Sequence, residues 1–203
     1  MTVWGALAGG FVGTLVLTTA LRTANELGLT RVDLPFLLGT AFTGDRARAK
    51  ALGYLLHLVA GELFALVYYA IFTAIDTRGW LLGALLGLLH GIVSATALVN
   101  VLLPVVHPRM GNTMSAADSS PLLEPPGFLM RNYGRGTPAA TLVAHVAYGA
   151  IVGGFASIAG DPAEAERWWR PSSAVRRRAL TARCQVGPGG SGFVWLVRRV
   201  PTR

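Results

Sequence analysis

The chain has 203 residues, of which 52% are hydrophobic and only 14% are charged, and its formal net charge is +8 at pH 7. An ordinary soluble domain carries about 25% charged residues, so this chain would expose too much apolar surface to water. The composition therefore excludes an ordinary soluble domain and favours a protein for which lipid replaces water around much of the surface.

Four apolar blocks follow one another along the chain. Residues 2–21 contain no charged side chain, residues 51–75 contain only Glu62, and the last two blocks contain none. Each block has about 20 residues or more, enough for a helix to cross a hydrocarbon core of roughly 30 Å. Helices are expected because backbone groups in lipid must be hydrogen-bonded within the segment, and the alternation typical of barrel strands is missing. The predicted spans are about residues 2–27, 51–75, 80–106 and 138–160.

The predicted fold class is therefore all-α: a polytopic membrane protein with four transmembrane helices in a bundle, formed by residues 1–160. The first block has no Lys or Arg before its apolar stretch, and its helical pattern continues to Glu26. We therefore expect an uncleaved span there rather than a signal peptide. The short loop at residues 76–79 predicts that the second and third spans form an antiparallel hairpin.

Residues 161–203 have a different composition from the spans. They contain nine Arg and three acidic residues, a net charge of +6, and show no helical stripe. Three interpretations remain open: a disordered basic extension, a segment that binds anionic lipid, or an out-of-frame translation. Membrane orientation also stays open. The seven Lys and Arg of the two long loops place those loops in the cytoplasm, whereas the nine Arg of the tail argue for the opposite.

Small residues recur every four positions within the spans, and the pattern repeats along the chain. With an offset of 78 residues, the first span aligns with the third: Gly5, Gly9 and Gly13 with Gly83, Gly87 and Gly91. With an offset of 88 residues, the second span aligns with the fourth: His57, Gly61 and Ala65 with His145, Gly149 and Gly153. The pattern indicates a tandem repeat of two helical hairpins, with chance similarity as the alternative. We assign these glycines to helix packing, because small residues on one face let backbones approach closely in lipid.

His57 and His145 occupy equivalent positions in the second and fourth spans. Each lies about 10 Å below the same membrane surface, and spans 2 and 4 are diagonal in a sequentially wound bundle. Two imidazoles at one depth can be the axial ligands of haem b or two ligands of a metal ion. The glycine four residues after each histidine would leave room for a flat macrocycle. The alternative is that each ring is neutral and hydrogen-bonds a neighbouring helix.

Glu62 and His90 both fall near the middle of the membrane, on the spans joined by the short loop. A charged carboxylate at that depth costs several kcal/mol, so we expect Glu62 to be protonated or paired with His90. Glu62 lies about 140° around the helix from His57, so the two side chains point to different faces. The pattern predicts a proton or ion relay through Glu62 and His90, with a purely structural hydrogen bond as the alternative.

Four phrases resemble small bacterial inner-membrane proteins of the YagU-like type: DLPFLLGT, LLHLVAGELFALVYYAIF, GALLGLLHGIV and LVAHVAYGAIVGGF. The resemblance covers residues 1–158 and implies a multi-pass protein of the bacterial inner membrane. It brings no catalytic residues.

No catalytic motif is recognised in the sequence, which disfavours an enzyme. The single cysteine, Cys184, excludes an intrachain disulfide and a cysteine-based zinc site. The predicted function is a small transport or proton-handling accessory protein centred on Glu62 and His90. The alternative is a haem- or metal-binding membrane electron carrier that uses His57 and His145. The expected partners are the lipid bilayer and further copies of the chain, and no nucleic acid.

Overall fold

The structure, a computed structural model, describes residues 2–110 and 123–158, so the predictions for the 161–203 tail lie outside the described residues. The elements in chain order are α1 (Val3–Glu26), α2 (Leu34–Gly39), α3 (Arg46–Ala74), α4 (Trp80–Val93), a π-helix (Ser94–Leu102), α5 (Leu103–Val106), a 3₁₀ helix (Phe128–Tyr133) and α6 (Thr137–Ile158). The all-α prediction is confirmed. Four helices are long and apolar enough to cross a membrane, and in the third of them α4 continues directly into the π-helix.

Side-chain caps fix where the helices begin. The Thr2 hydroxyl accepts a hydrogen bond from the Gly5 amide at 3.2 Å, which starts α1. The Asp45 carboxylate accepts from the Arg48 amide at 2.8 Å and starts α3 five residues before the predicted block. This cap satisfies an otherwise unpaired amide, so the helix extends into a charged first turn that hydrophobicity alone did not include.

The four long helices pack in the spatial order α3, α1, α6, α4. Spans 2 and 4, which are α3 and α6, lie diagonally, as sequential winding predicts. The turn between α3 and α4 is short, with Asp76 at φ 47° and Gly79 at φ 145°. Yet α3 and α4 barely touch along their backbones, so the predicted hairpin has its turn without close helix packing. On the fourth side of the bundle the two helices meet through side chains, where Phe64 of α3 stacks on His90 of α4.

Glycines of α4 and α6 bring these two helices into backbone contact. A Cβ added at Gly83 would collide with the Gly149 carbonyl, and one added at Gly87 would collide with the His145 carbonyl. On the other side of α6, an added Cβ at Gly13 would meet the Tyr148 ring at 2.9 Å. The glycine faces of α1 and α4 thus both meet α6. The two hairpins of the repeat are therefore not packed equivalently.

The outward faces of the four long helices are apolar. Large exposed side chains occur on each of them, including Leu15, Leu63, Leu85 and Val143. Contiguous exposed apolar surface of this extent is unfavourable in water and suits contact with lipid chains. This distribution agrees with what the composition predicts.

A layer of short elements covers one end of the bundle. The buried His107, which follows α5, donates from Nε2 to the Leu37 carbonyl at 3.1 Å and so ties α5 to α2. Ion pairs at this end join Arg31 to Glu124 and Lys50 to Asp33, each at 3.7 Å and with both partners exposed. Exposed pairs of this kind contribute little stability, but they indicate that this end of the bundle faces water.

Candidate functional site

A cavity of about 390 Å³ lies within the bundle, with side chains from all four long helices in its lining. Three of the four histidines, His57, His90 and His145, line it. Most of its other walls are apolar side chains contributed by α1, α2, α3, the π-helix, α5 and the 3₁₀ helix. We call this space the imidazole cavity. Its size and apolar walls with a few polar groups are typical of a small-molecule site.

The π-helix shapes one wall of the imidazole cavity, where Ser94, Leu98 and Leu102 line it. Within this stretch the side-chain amide of Asn100 donates to the Ala95 carbonyl at 2.7 Å. π-helical segments of this kind frequently occur at functional sites.

His57 is buried in α3 and is held by α1. Its Nδ1 lies 3.0 Å from the Thr18 hydroxyl oxygen, and that hydroxyl donates its one proton to the Thr14 carbonyl at 2.7 Å. Thr18 therefore accepts a hydrogen bond from Nδ1–H of His57. In the neutral ring this leaves the lone pair on Nε2.

His145 is buried in α6 and is oriented by its own helix. Its Nδ1 lies 2.8 Å from the Thr141 carbonyl, and a carbonyl can only accept, so Nδ1 carries the proton. His145 thus has the same tautomer as His57, with the lone pair on Nε2. Oxygen partners on Nδ1 are the arrangement commonly found behind histidines that coordinate metals.

His90 joins the other two histidines from α4. Its ring meets the His145 ring edge-on, with centroids 4.8 Å apart and planes at 84°. On its other sides it packs against Phe64, at a centroid distance of 3.8 Å, and near the Tyr68 hydroxyl, 3.5 Å from Nδ1. Tyr148 completes this aromatic wall, and its hydroxyl donates to the Gly61 carbonyl at 2.5 Å.

The structure does not bring Glu62 and His90 together. Glu62 lies against α1, where a Cβ added at Gly10 would come within 3.0 Å of Oε2. This oxygen is buried and has no hydrogen-bond partner among the described residues. The physical reason is that the backbone of α3 packs closely against α1, so a side chain on this face of α3 meets the glycines of α1, whereas Phe64 and Tyr68 are the α3 side chains that reach His90.

The two glycines that follow the paired histidines contact other helices. Gly61 faces Thr14 of α1 while also lining the imidazole cavity, and Gly149 packs against Gly83 and Gly87 of α4. The space expected beside Gly149 for a macrocycle is therefore filled by α4.

A second, polar pocket of about 150 Å³ adjoins the site at the water-facing end of the bundle. Arg22, Asn25, Lys50 and Tyr54 contribute to its walls, and Arg22 donates to Glu26 at 3.0 Å. His57 lines both this polar pocket and the imidazole cavity. It therefore separates a pocket lined by charged and polar side chains from an apolar cavity.

From the sequence, His57 and His145 were predicted as a pair, whereas His90 was assigned to Glu62. The oxygen partners of Nδ1 in His57 and His145 were not predicted. The Thr141 carbonyl is four residues before His145, a spacing that indicates a contact within one helix. Thr18 is on a different helix from His57, and no local pattern reveals that contact.

Within residues 2–110 and 123–158, no group of three or more His, Cys, Asp or Glu side chains is arranged to hold a metal ion. The three rings instead offer hydrogen-bonding nitrogens around an apolar space. Comparison of the chain with family models, with curated proteins and with solved structures finds no match in any of the three.

Proposed function

We propose that the chain is a small membrane protein that binds an apolar molecule in the imidazole cavity and acts as a transport or proton-handling accessory. The observation that carries this proposal is a cavity of about 390 Å³ with three imidazoles in its lining, in a bundle whose α3 and α4 backbones do not pack closely. A packed core with no function would fill such a space with side chains, because interiors rarely leave voids larger than a water molecule.

The proposed route of entry is from the side, between α3 and α4. Large apolar residues cover the outer surfaces of both helices, so lipid chains would surround this opening. An apolar ligand could then move from the bilayer into the cavity without crossing water. The bacterial inner membrane is the proposed location, supported by the YagU-like resemblance.

The proton-handling part of the proposal rests on His57. This ring lies between the polar pocket and the imidazole cavity, so its two nitrogens could pass a proton from one space to the other. The proposed centre is thus the cluster of His57, His90 and His145, because Glu62 lies on the other side of α3 against Gly10.

One specific observation favours a second candidate, the haem-binding electron carrier. His57 and His145 both donate Nδ1–H to oxygen and so leave Nε2 available for iron. In purified protein this candidate requires a Soret band that is lost in His57→Ala. Colourless protein that does not take up added haemin would exclude it.

We propose that the chain assembles into homo-oligomers through faces other than its glycine-rich helix faces. Gly13, Gly83, Gly87 and Gly149 are occupied inside the bundle, in contacts with α6 or α4. Only faces outside these contacts remain for a second copy.

The test of ligand binding is photolabelling in nanodiscs of one synthetic lipid. The probe is an eight-carbon alkane carrying a diazirine, and labelled residues are mapped by mass spectrometry. Ala60 lines the cavity, whereas its neighbour Val59 is 48% exposed on the outer surface. We expect Ala60→Trp to fill the cavity and remove labelling of cavity residues, and Val59→Trp to leave it intact. Labelling confined to the outer surface of the wild-type protein would reject the proposal.

A further inference from the structure

The ligand class can be derived from the two histidines that have a fixed tautomer. We infer that the imidazole cavity selects an apolar molecule bearing a hydroxyl group, which donates hydrogen bonds to Nε2 of His57 or His145. This inference rests on the proposed function and specifies its ligand.

Nε2 of His57 and Nε2 of His145 are ring nitrogens that the described residues leave free in the cavity. The Nδ1 atoms of His57 and His145 are both engaged, by the Thr18 hydroxyl and the Thr141 carbonyl. Within the described residues neither Nε2 makes a hydrogen bond. In that part of the chain Glu62 Oε2 is the only fully buried side-chain nitrogen or oxygen without a partner. The two Nε2 atoms therefore retain accessible space, although the two residues are only 8% and 5% exposed.

Each free Nε2 is a hydrogen-bond acceptor. Both threonine oxygens accept, so each Nδ1 is the donor and each neutral ring offers a lone pair at Nε2. A buried acceptor that lacks a donor costs free energy, so a ligand that supplies a hydroxyl gains more here than in an alkane environment. A ligand that only accepts, such as an ether, ester or ketone, would place one lone pair against another.

The remaining cavity walls favour a ligand that is apolar outside its hydroxyl group. Apart from the histidines, the cavity walls are predominantly leucine, valine and aromatic side chains, for example Leu17, Leu98 and Phe64. Among residues 2–110 and 123–158 no Lys or Arg lines this cavity, so a phosphate or carboxylate head would be buried there without a cationic partner from these residues. The chemistry thus selects an uncharged, largely apolar alcohol or phenol.

The experiment compares three photoreactive probes of the same chain length in nanodiscs: a diazirine-bearing octanol, its methyl ether and the corresponding octane. We expect octanol to label cavity residues about tenfold more than its ether at limiting probe, as one net hydrogen bond would give. In a His57→Leu, His145→Leu double variant, this preference should fall to about onefold. His57→Gln and His145→Gln, which keep an acceptor near the position of Nε2, should retain part of it.

The outcomes separate the two proposals. Equal labelling by octanol and ether in the wild-type protein, with both signals removed by Ala60→Trp, would overturn the hydroxyl inference and leave ligand binding intact. Absence of cavity labelling by all three probes would overturn both. A Soret band at one haem per chain would assign the Nε2 atoms to iron and overturn the inference. The wild-type comparison of probes needs no variant, so a poorly folded double variant does not prevent the test.

Discussion

His57 and Thr18 are joined across the α1–α3 interface by a hydrogen bond of 3.0 Å between Nδ1 and the hydroxyl oxygen. The same hydroxyl donates to the Thr14 carbonyl one turn earlier. One threonine therefore fixes both the orientation and the tautomer of a histidine on another helix. This relationship makes the acceptor character of the imidazole cavity a property that mutation can change.

Replacing Thr18 should release the tautomer of His57. Thr18→Val has nearly the same shape but no acceptor, so we expect the ring to populate the form protonated on Nε2 and the preference for octanol over its ether to fall by severalfold. Nitrogen-15 NMR of histidine-labelled protein measures the tautomer directly. Thr96→Val is the matched control, because Thr96 aligns with Thr18 at the repeat offset of 78 residues. Its hydroxyl donates to the Ile92 carbonyl of its own helix. An unchanged His57 spectrum in Thr18→Val would contradict the assignment.

The glycine contact between α4 and α6 should carry much of the stability of the bundle. A Cβ at Gly87 collides with the His145 carbonyl, so Gly87→Leu must separate the two helices. We expect a loss of about 1–3 kcal/mol in the free energy of unfolding, measured by denaturation in mixed micelles. Gly154→Leu is the control, since a Cβ at Gly154 has no atom within 4 Å. Equal destabilisation by both variants would show that loss of glycine, and not helix contact, is responsible.

Tyr133 provides a pH-dependent signal from the layer that covers the water-facing end. Its hydroxyl donates to the Glu124 carbonyl at 2.7 Å. Burial and the negative charge of Glu124 raise the pKa of Tyr133 to about 12, and Arg31 partly opposes this. Because the folded-state pKa is raised, its contribution to stability is complete below about pH 10 and is lost as pH rises from about 10 towards 12.

Tyrosinate absorbance measures this titration. The difference between wild-type protein and Tyr133→Phe should show a component with a midpoint near 12, above the ordinary tyrosine value of about 10. Tyr54→Phe serves as the control and should leave that component in place. A difference spectrum centred near pH 10 would mean that Tyr133 is not buried in this layer.

Hydrophobic blocks predicted the four helices because the lipid requirement acts on every residue of a span. The end of the third span was also predicted, because the apolar block ends at residue 106 and α5 ends at Val106. The site as a whole depends on which helix faces which. The close packing of α4 on α6 follows from their glycines, and no periodicity within one helix specifies that choice. Hence the contact of His90 with His145 was not predicted, whereas the equivalence of His57 and His145 was.

Glu62 should be dispensable for the imidazole cavity. Its carboxyl group lies against Gly10 on the α1 side of α3, and it does not line the cavity or bond His90. We therefore expect Glu62→Gln, which keeps the shape and removes the charge, to leave cavity labelling within about twofold of wild type. Any proton flux measured in liposomes should also persist, since the proposed centre is the histidine cluster. Loss of flux in Glu62→Gln with retained flux in His57→Gln would restore the relay through Glu62. Because Oε2 has no hydrogen-bond partner in the described part of the chain, the neutral amide should be tolerated without loss of stability.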